Sequence, residues 1–335
     1  MIQTMMTKPV ERIFDACLIV QYIISIPMKY YSIKKDILAT LAYFNMFDYP
    51  LRKSEIFIFL GHCDDFHEFE LGLQELLNEF IIFKIGEFYS LNNNYSLATR
   101  RYKGNEKAKI MLRKADKAAS LLSAFPFVRG IAVSGSLSKN FADENTDIDF
   151  FIITSANRLW IARTFLHIFK KITYLFDMQD LFCMNYFIDE EELGILEKNI
   201  YTATEIATIM PMCGCKIFDS FFKENTWAKS YFPNKYMYIT PARDIKKTWF
   251  KYLVEKLLNN RFGNSLDIYL MKLTSKSWNS KTRSNKTNGK GILMSMHIGR
   301  HFSKPNPDTF QKKLLQRYDN HLSEIFKLYE HSRSY

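Results

Sequence analysis

Apolar positions along this 335-residue chain change rhythm several times, and each change marks an element. Ile37, Leu38, Leu41 and Phe44 fall on one side of a helix between Asp36 and Phe44, and a second helix restarts after Pro50-Leu51 through Ile56, Phe57 and Leu60. A third covers 67–79, carrying Phe69, Leu73, Leu76 and Leu77 up to Phe80. Ile81 to Leu91 alternates about Gly86, which predicts a hairpin. A Lys- and Ala-rich helix follows over 105–124. Ile131–Val133 and Phe150–Ile153 are short continuous apolar runs, as in strands buried on both faces, and Leu181–Ile188 is a third. Between the last two, Leu159, Ala162, Phe165, Leu166 and Phe169 recur at helical spacing over 156–175, with Ser155 placed as N-cap. The chain then reads as helical over 193–232 and 244–272. Thr274–Lys290 is polar, basic and free of acids, which predicts a loop, and 306–330 closes as an amphipathic helix.

These elements predict an α+β protein with a mixed sheet. Its expected parts are an N-terminal helix (1–29), a helix-plus-hairpin module (30–103), a strand-centred domain (104–192) and a helical, basic C-terminal domain (193–335) with the loop at 274–290. The apolar stretch Ile13–Met28 is interrupted by Asp15 and Gln21 and is too short and polar for a membrane span, so no transmembrane segment is expected. An apolar content of 47% excludes a disordered chain. Five cysteines without framework spacing point to a reducing, cytoplasmic setting. Residues 241–335 hold 19 Lys and Arg against 7 Asp and Glu, while the remainder is nearly neutral. Such a stretch can meet a polyanion or NTP phosphates, or simply keep the chain soluble.

The chemistry concentrates between two strands. The run Ile131–Val133 ends in Ser134-Gly135-Ser136, and after ten intervening residues Asp147-Ile148-Asp149 opens the next strand. Side chains at i and i+2 of a strand share a face, so the two carboxylates lie side by side and call for a cation. Hard divalent ions take such oxygens and share them with substrate phosphates. Gly135 permits close backbone approach to a phosphate, and Ser136 adds a hydroxyl at the start of a helix, where anions are favoured.

This combination of apolar strand, Gly-Ser, spacer, Asp-x-Asp and apolar strand resembles the nucleotidyltransferase superfamily that includes DNA polymerase β, over about residues 128–190. The resemblance implies a nucleotidyltransferase fold and Mg2+-dependent transfer of a nucleoside monophosphate from an NTP, with ATP favoured, to an acceptor that is RNA, a protein or a small molecule. It implies that Asp147 and Asp149 hold the metal and that Gly135 and Ser136 cradle phosphates, with Ser138 and Lys139 assisting. The family also has a third carboxylate on a following strand. Here that strand offers Asn185, with Asp180 at its start and Asp189 at its end as substitutes. Glu205, on a mostly apolar helix, and Arg100, Arg101 and Lys103, ahead of the linking helix, are further candidates. Residues 30–103 resemble a winged-helix module. Its third helix carries Glu68, Glu70, Glu75 and Glu79 and no Lys or Arg, so duplex DNA is not its expected partner. The rival reading is a catalytically weak nucleotide-sensing or DNA-binding regulator that keeps the fold without the third carboxylate.

Overall fold

The apolar runs around Ile131 and Phe150 form the middle of a six-stranded mixed sheet in a computed structural model that describes residues 33–62, 65–176, 181–237, 242–284, 295–305 and 308–332. The expected N-terminal helix lies outside these residues. The chain is α+β and divides into two compact units. One gathers the described residues up to Ala98 with Phe232–Asn234 and those from Arg317 onward; the other holds Thr99–Tyr231 and Lys235–Gln316.

The first unit runs α1 (33–45), β1 (Leu51–Arg52), α2 (Lys53–Ile58), α3 (Phe66–Asn78), β2 (Phe83–Ile85) and β3 (Phe88–Ser90). Its strands form an antiparallel sheet in the order β1-β3-β2. Ile85 pairs with Phe88, leaving Gly86-Glu87 as a two-residue turn with Gly86 at φ +63°, so the expected hairpin forms where glycine permits it. Ile33, Ile37, Phe69, Leu76 and Phe88 are buried. The acids of α3 are neutralised within the unit. Lys34 Nζ lies 2.6 Å from Glu75 and 2.9 Å from Glu79, and Lys53 pairs with Glu70.

In the second unit α4 (Tyr95–Leu122) leads into β4 (Val128–Val133), a single turn α5 (Gly135–Ser138), β5 (Asp149–Thr154), α6 (Leu159–Thr173) and β6 (Cys183–Asp189). Then come α7 (Ile200–Thr208), β7 (Met210–Cys213), α8 (Cys215–Glu224), α9 (Trp249–Leu258), α10 (Arg261–Arg283), β8 (Met296–Ile298), β9 (Phe302–Pro305) and α11 (Asp308–Ser332), which belongs to the first unit from Arg317 onward. The strand order is β7-β4-β5-β6-β9-β8. Only β5 and β6 are parallel; the other neighbours are antiparallel. Central β5 is buried from Phe150 to Thr154, as its unbroken apolar run requires.

Two expectations are corrected. The helical C-terminal domain does not stand apart from residue 193: β7, β8 and β9 complete the same sheet as β4–β6, and the strand Met210–Cys213 interrupts the expected helical run. Residues 274–283, expected as loop, continue α10 to Arg283. Polar and basic residues suit a helix whose outer face is solvated, so the lack of apolar rhythm there did not mean the lack of a helix.

Helix α6 draws its cap from elsewhere in the chain. Its own N-cap residue, Arg158, makes no side-chain cap bond; Asp267 on α10 instead accepts from the Ile161 amide at 2.9 Å. Asp267 is buried and its second oxygen finds no hydrogen-bond partner among the described residues. Burial outweighs the amides of Ile161 and Trp160 and the nearby Arg300 and Arg158, and pushes the carboxyl up to about 6. The folded chain therefore takes up this proton at higher pH than the unfolded chain does. On this account stability falls as pH rises from about 4 to about 6. Asp267→Asn, which keeps an acceptor for the cap, should flatten that part of the profile and gain on the wild type at pH 6.5. Parallel urea-midpoint profiles from pH 4 to 7 would rule this out.

Candidate functional site

The site is built where β4 ends against the start of β5. Val133 pairs with Phe150, and one residue on, the Ser134 amide donates to the Asp149 carbonyl at 2.9 Å. That pairing sets the Gly135 turn directly beside Asp149. Gly135 stands at φ +70°, and a Cβ there would lie 2.9 Å from Asp149 Oδ2. Both the left-handed backbone and the close carboxylate explain why this position is glycine. On the other strand Ile148 is fully buried while Asp147 and Asp149 are half-exposed. β5 begins only at Asp149, so Asp147 precedes the strand expected to carry it; the buried Ile148 lies between the two acids, and both carboxylates bear on the Cys183 thiol.

Asn185 joins them through an irregularity in β6. Phe150 pairs with Met184 and Phe151 with Tyr186, so Asn185 is the extra residue of a bulge in a parallel pair. Such bulges re-aim a side chain. Here Asn185 is exposed and its amide donates to Asp149 Oδ1 at 2.7 Å, a short charge-assisted bond. Beside it Cys183 Sγ lies 3.3 Å from Asn185 Oδ1. Burial, then the negative charges of Asp149 and Asp147, push this thiol up to about 11.

The other expected residues divide. Lys139 and Glu205 meet: Lys139 Nζ lies 2.7 Å from Glu205 Oε1, and Glu205 Oε2 accepts from the Gly135 amide at 3.3 Å. Lys139 Nζ also donates to the Gly135 carbonyl at 3.0 Å. The backbone donor expected to face a phosphate thus faces a carboxylate. Ser136 is exposed at the turn. Ser138 is buried and its hydroxyl donates back to the Gly135 carbonyl at 2.8 Å, so it braces the turn and does not open onto the site. Helix α5 is a single turn, too short to develop the dipole expected there. Asp189 is removed from consideration. It pairs in register with Thr154, five residues along β5 from Asp149 and so about 16 Å away. There it accepts from the Asn157 amide and pairs with His301. Asp180 lies outside the described residues. Arg101 is buried and bonded to Asn105, whose amide holds the Asn140 carbonyl, and Arg100 stacks over Phe141 at 4.4 Å. Both lie within α4 and bear on the loop after α5.

Among the described residues no group of three or more His, Cys, Asp and Glu side chains is placed to hold a metal. The Asp147–Asp149 pair fits a different demand. Mg2+ binds through one or two carboxylates and completes its shell with waters and phosphate oxygens. The oxygens present suit such a shared ion and not a cage supplied by the protein alone. No family model, curated protein or solved structure matches the chain.

The Glu205–Lys139 pair, with the Gly135 amide bond to Glu205, ties α7 to the Gly135 turn, and both side chains are less than a third exposed. Glu205→Ala and Lys139→Ala should each lower stability by about 1–2 kcal/mol. The double variant should lose little more than either single one, because both remove the same bond. Urea unfolding of the four proteins tests this; strictly additive losses would show that the contact carries no coupling.

Proposed function

We propose that the chain is a nucleotidyltransferase acting on an NTP, with ATP favoured, and Mg2+. The observation that supports the reading most directly is the convergence of three separate segments on one corner: the Gly135 turn, Asp149 at the start of β5 and the bulged Asn185. The winged-helix reading of the first unit draws support from its helix and strand order and its two-residue turn at Gly86.

In this reading Asp147 and Asp149 hold Mg2+, which when bound neutralises charge on the transferring phosphate. The Gly135 turn and the exposed Ser136 hydroxyl position the triphosphate. Lys139 supplies the cation beside it once Glu205 yields. The acceptor oxygen forms a bond to the α-phosphorus, the bond from that phosphorus to the oxygen bridging it to the β-phosphate breaks, and pyrophosphate leaves. Asn185 orients Asp149 through its amide and cannot take the acceptor's proton, which passes to solvent. RNA, a protein or a small molecule remains the acceptor class. Duplex DNA is not proposed as the partner of the first unit, because α3 offers acids already paired with Lys34 and Lys53.

A second reading has its own observation. Asn185 stands where a carboxylate would serve as base, and Glu205 fills the amide seat at Gly135. A nucleotide-sensing regulator of weak activity needs no more than this.

Two experiments decide. Calorimetric binding of ATP should require Mg2+ and should be lost in Asp147→Ala/Asp149→Ala; equal binding by that variant removes the metal assignment. Transfer of label from α-labelled ATP to cell extract should rise in Asn185→Asp by up to about 10²-fold, since general-base help is worth roughly 10²–10⁴. The same substitution puts a third carboxylate against Asp149 in place of a donor. Without Mg2+ it should therefore lower the unfolding midpoint, and Mg2+ should restore it. A folded Asn185→Asp protein with unchanged transfer and unchanged Mg2+ response would refute the role given to Asn185.

A further inference from the structure

A second concave surface lies in the same unit, away from the aspartates. The last three turns of α10 and the β8–β9 turn enclose a cleft of about 860 Å3. Lys272, Lys276, Asn279 and Arg283 line it from α10, spaced so that they form one stripe along the helix. Arg300 lines it from the turn, and Met271 and Ile298 add apolar surface. None of the lining residues is acidic. Lys272, Lys276 and Arg283 make no hydrogen bond or ion pair among the described residues. Arg300 donates to a neutral group, the Asn157 side-chain oxygen, at 2.8 and 3.1 Å and makes no ion pair among the described residues, the buried Asp267 being the acid it lies near. The β8–β9 turn that supplies Arg300 lies at the end of β6 marked by Asp189, whose amide donates to the His301 carbonyl, whereas Asn185 and Asp149 lie toward the other end.

Four cations around a concavity with no acidic lining residue make a surface suited to an anion. Their spread says which kind. From Lys272 to Arg283 the stripe runs eleven residues, about 16 Å at the rise of a helix. A mononucleotide gathers its phosphates at one point and would reach only part of that line. A duplex, about 20 Å across, is too wide for a cleft of this volume. A single strand presents phosphates in series and can lie along it. Ser275, Asn279 and Ser280 add hydroxyl and amide groups between the cations, partners for the 2′-hydroxyl that is both donor and acceptor.

We propose that this cleft binds the sugar–phosphate backbone of single-stranded RNA. The binding stands on the cleft alone; only its role, holding an RNA acceptor for the aspartate corner, rests on the nucleotidyltransferase reading.

Fluorescence anisotropy of a labelled 12-nucleotide RNA of mixed sequence, with the full chain at 50 and 150 mM salt, tests it. The wild type should bind, with affinity falling as salt rises. Lys272→Glu/Lys276→Glu/Arg283→Glu should bind at least tenfold more weakly. Lys272→Gln/Lys276→Gln/Arg283→Gln, with circular dichroism matching the wild type, should flatten the salt slope by about 2, the value for three phosphate contacts to a single strand. The proposal is overturned by a wild type that does not bind RNA at 50 mM salt, or by variants that bind as it does. Displacement by micromolar ATP would make this a mononucleotide site, and equal affinity for DNA of the same sequence would remove the 2′-hydroxyl contacts; either overturns the assignment to RNA. Asp147→Ala/Asp149→Ala should bind the same RNA unchanged, so loss of nucleotide binding and loss of RNA binding are read separately.

Discussion

The amide of Ser134 donating to the carbonyl of Asp149 is the bond on which the corner depends. It ends the β4–β5 ladder with the Gly135 turn and the Asp149 carboxylate already side by side. Everything near it follows from the resulting crowding. A side chain at 135 would push into Asp149 Oδ2, so the position must be glycine, and only glycine takes φ +70° there without strain. The carboxylate, fixed by its strand, then needs a donor, and the bulge at Asn185 brings one from the neighbouring strand.

Most of this was legible in the sequence because it is local. Gly135 and Asp149 announce themselves through two unbroken apolar runs with a fixed spacer between them. Asn185 stood out as the single polar residue inside such a run. Its exposure could not be read, because a bulge changes which face a residue takes and leaves no mark in composition. Asp189 looked equivalent to Asp180 along the chain. Only the parallel register, which sets it opposite Thr154, removes it from the site.

What escaped was non-local. Met210–Cys213 is short and contains Pro211, which argues against a strand in a sheet's interior. It is nonetheless a strand because it lies at the edge, where a missing amide is harmless. Residues 274–283 carry no apolar rhythm; their helix is the continuation of one that packs earlier along its length against Phe127 and Ile161 through Leu266 and Leu270. The excess of basic charge in the last quarter was visible, yet its gathering into a cleft required knowing that Arg300 folds back beside α10. Asp267, sixteen residues before Arg283, gave no sign that it caps a helix a hundred residues upstream.

The charges of the corner lead to one more consequence. Asp147, Asp149 and Glu205 bring three carboxylates near one turn, where Glu205 pairs with Lys139. The Gly135 amide and the Lys139 ammonium converge on Glu205 much as they would on a phosphate oxygen. A nucleotide approaching this turn must displace that carboxylate and bring several negative charges beside two more. Lys139 offsets one of them. On the nucleotidyltransferase reading a divalent cation shared between the aspartates and the phosphates offsets the remainder, because repulsion between like charges at such distances amounts to several kcal/mol at the effective dielectric of a protein surface. A nucleotide and a metal ion bound at this corner would then be coupled, each lowering the cost of the other.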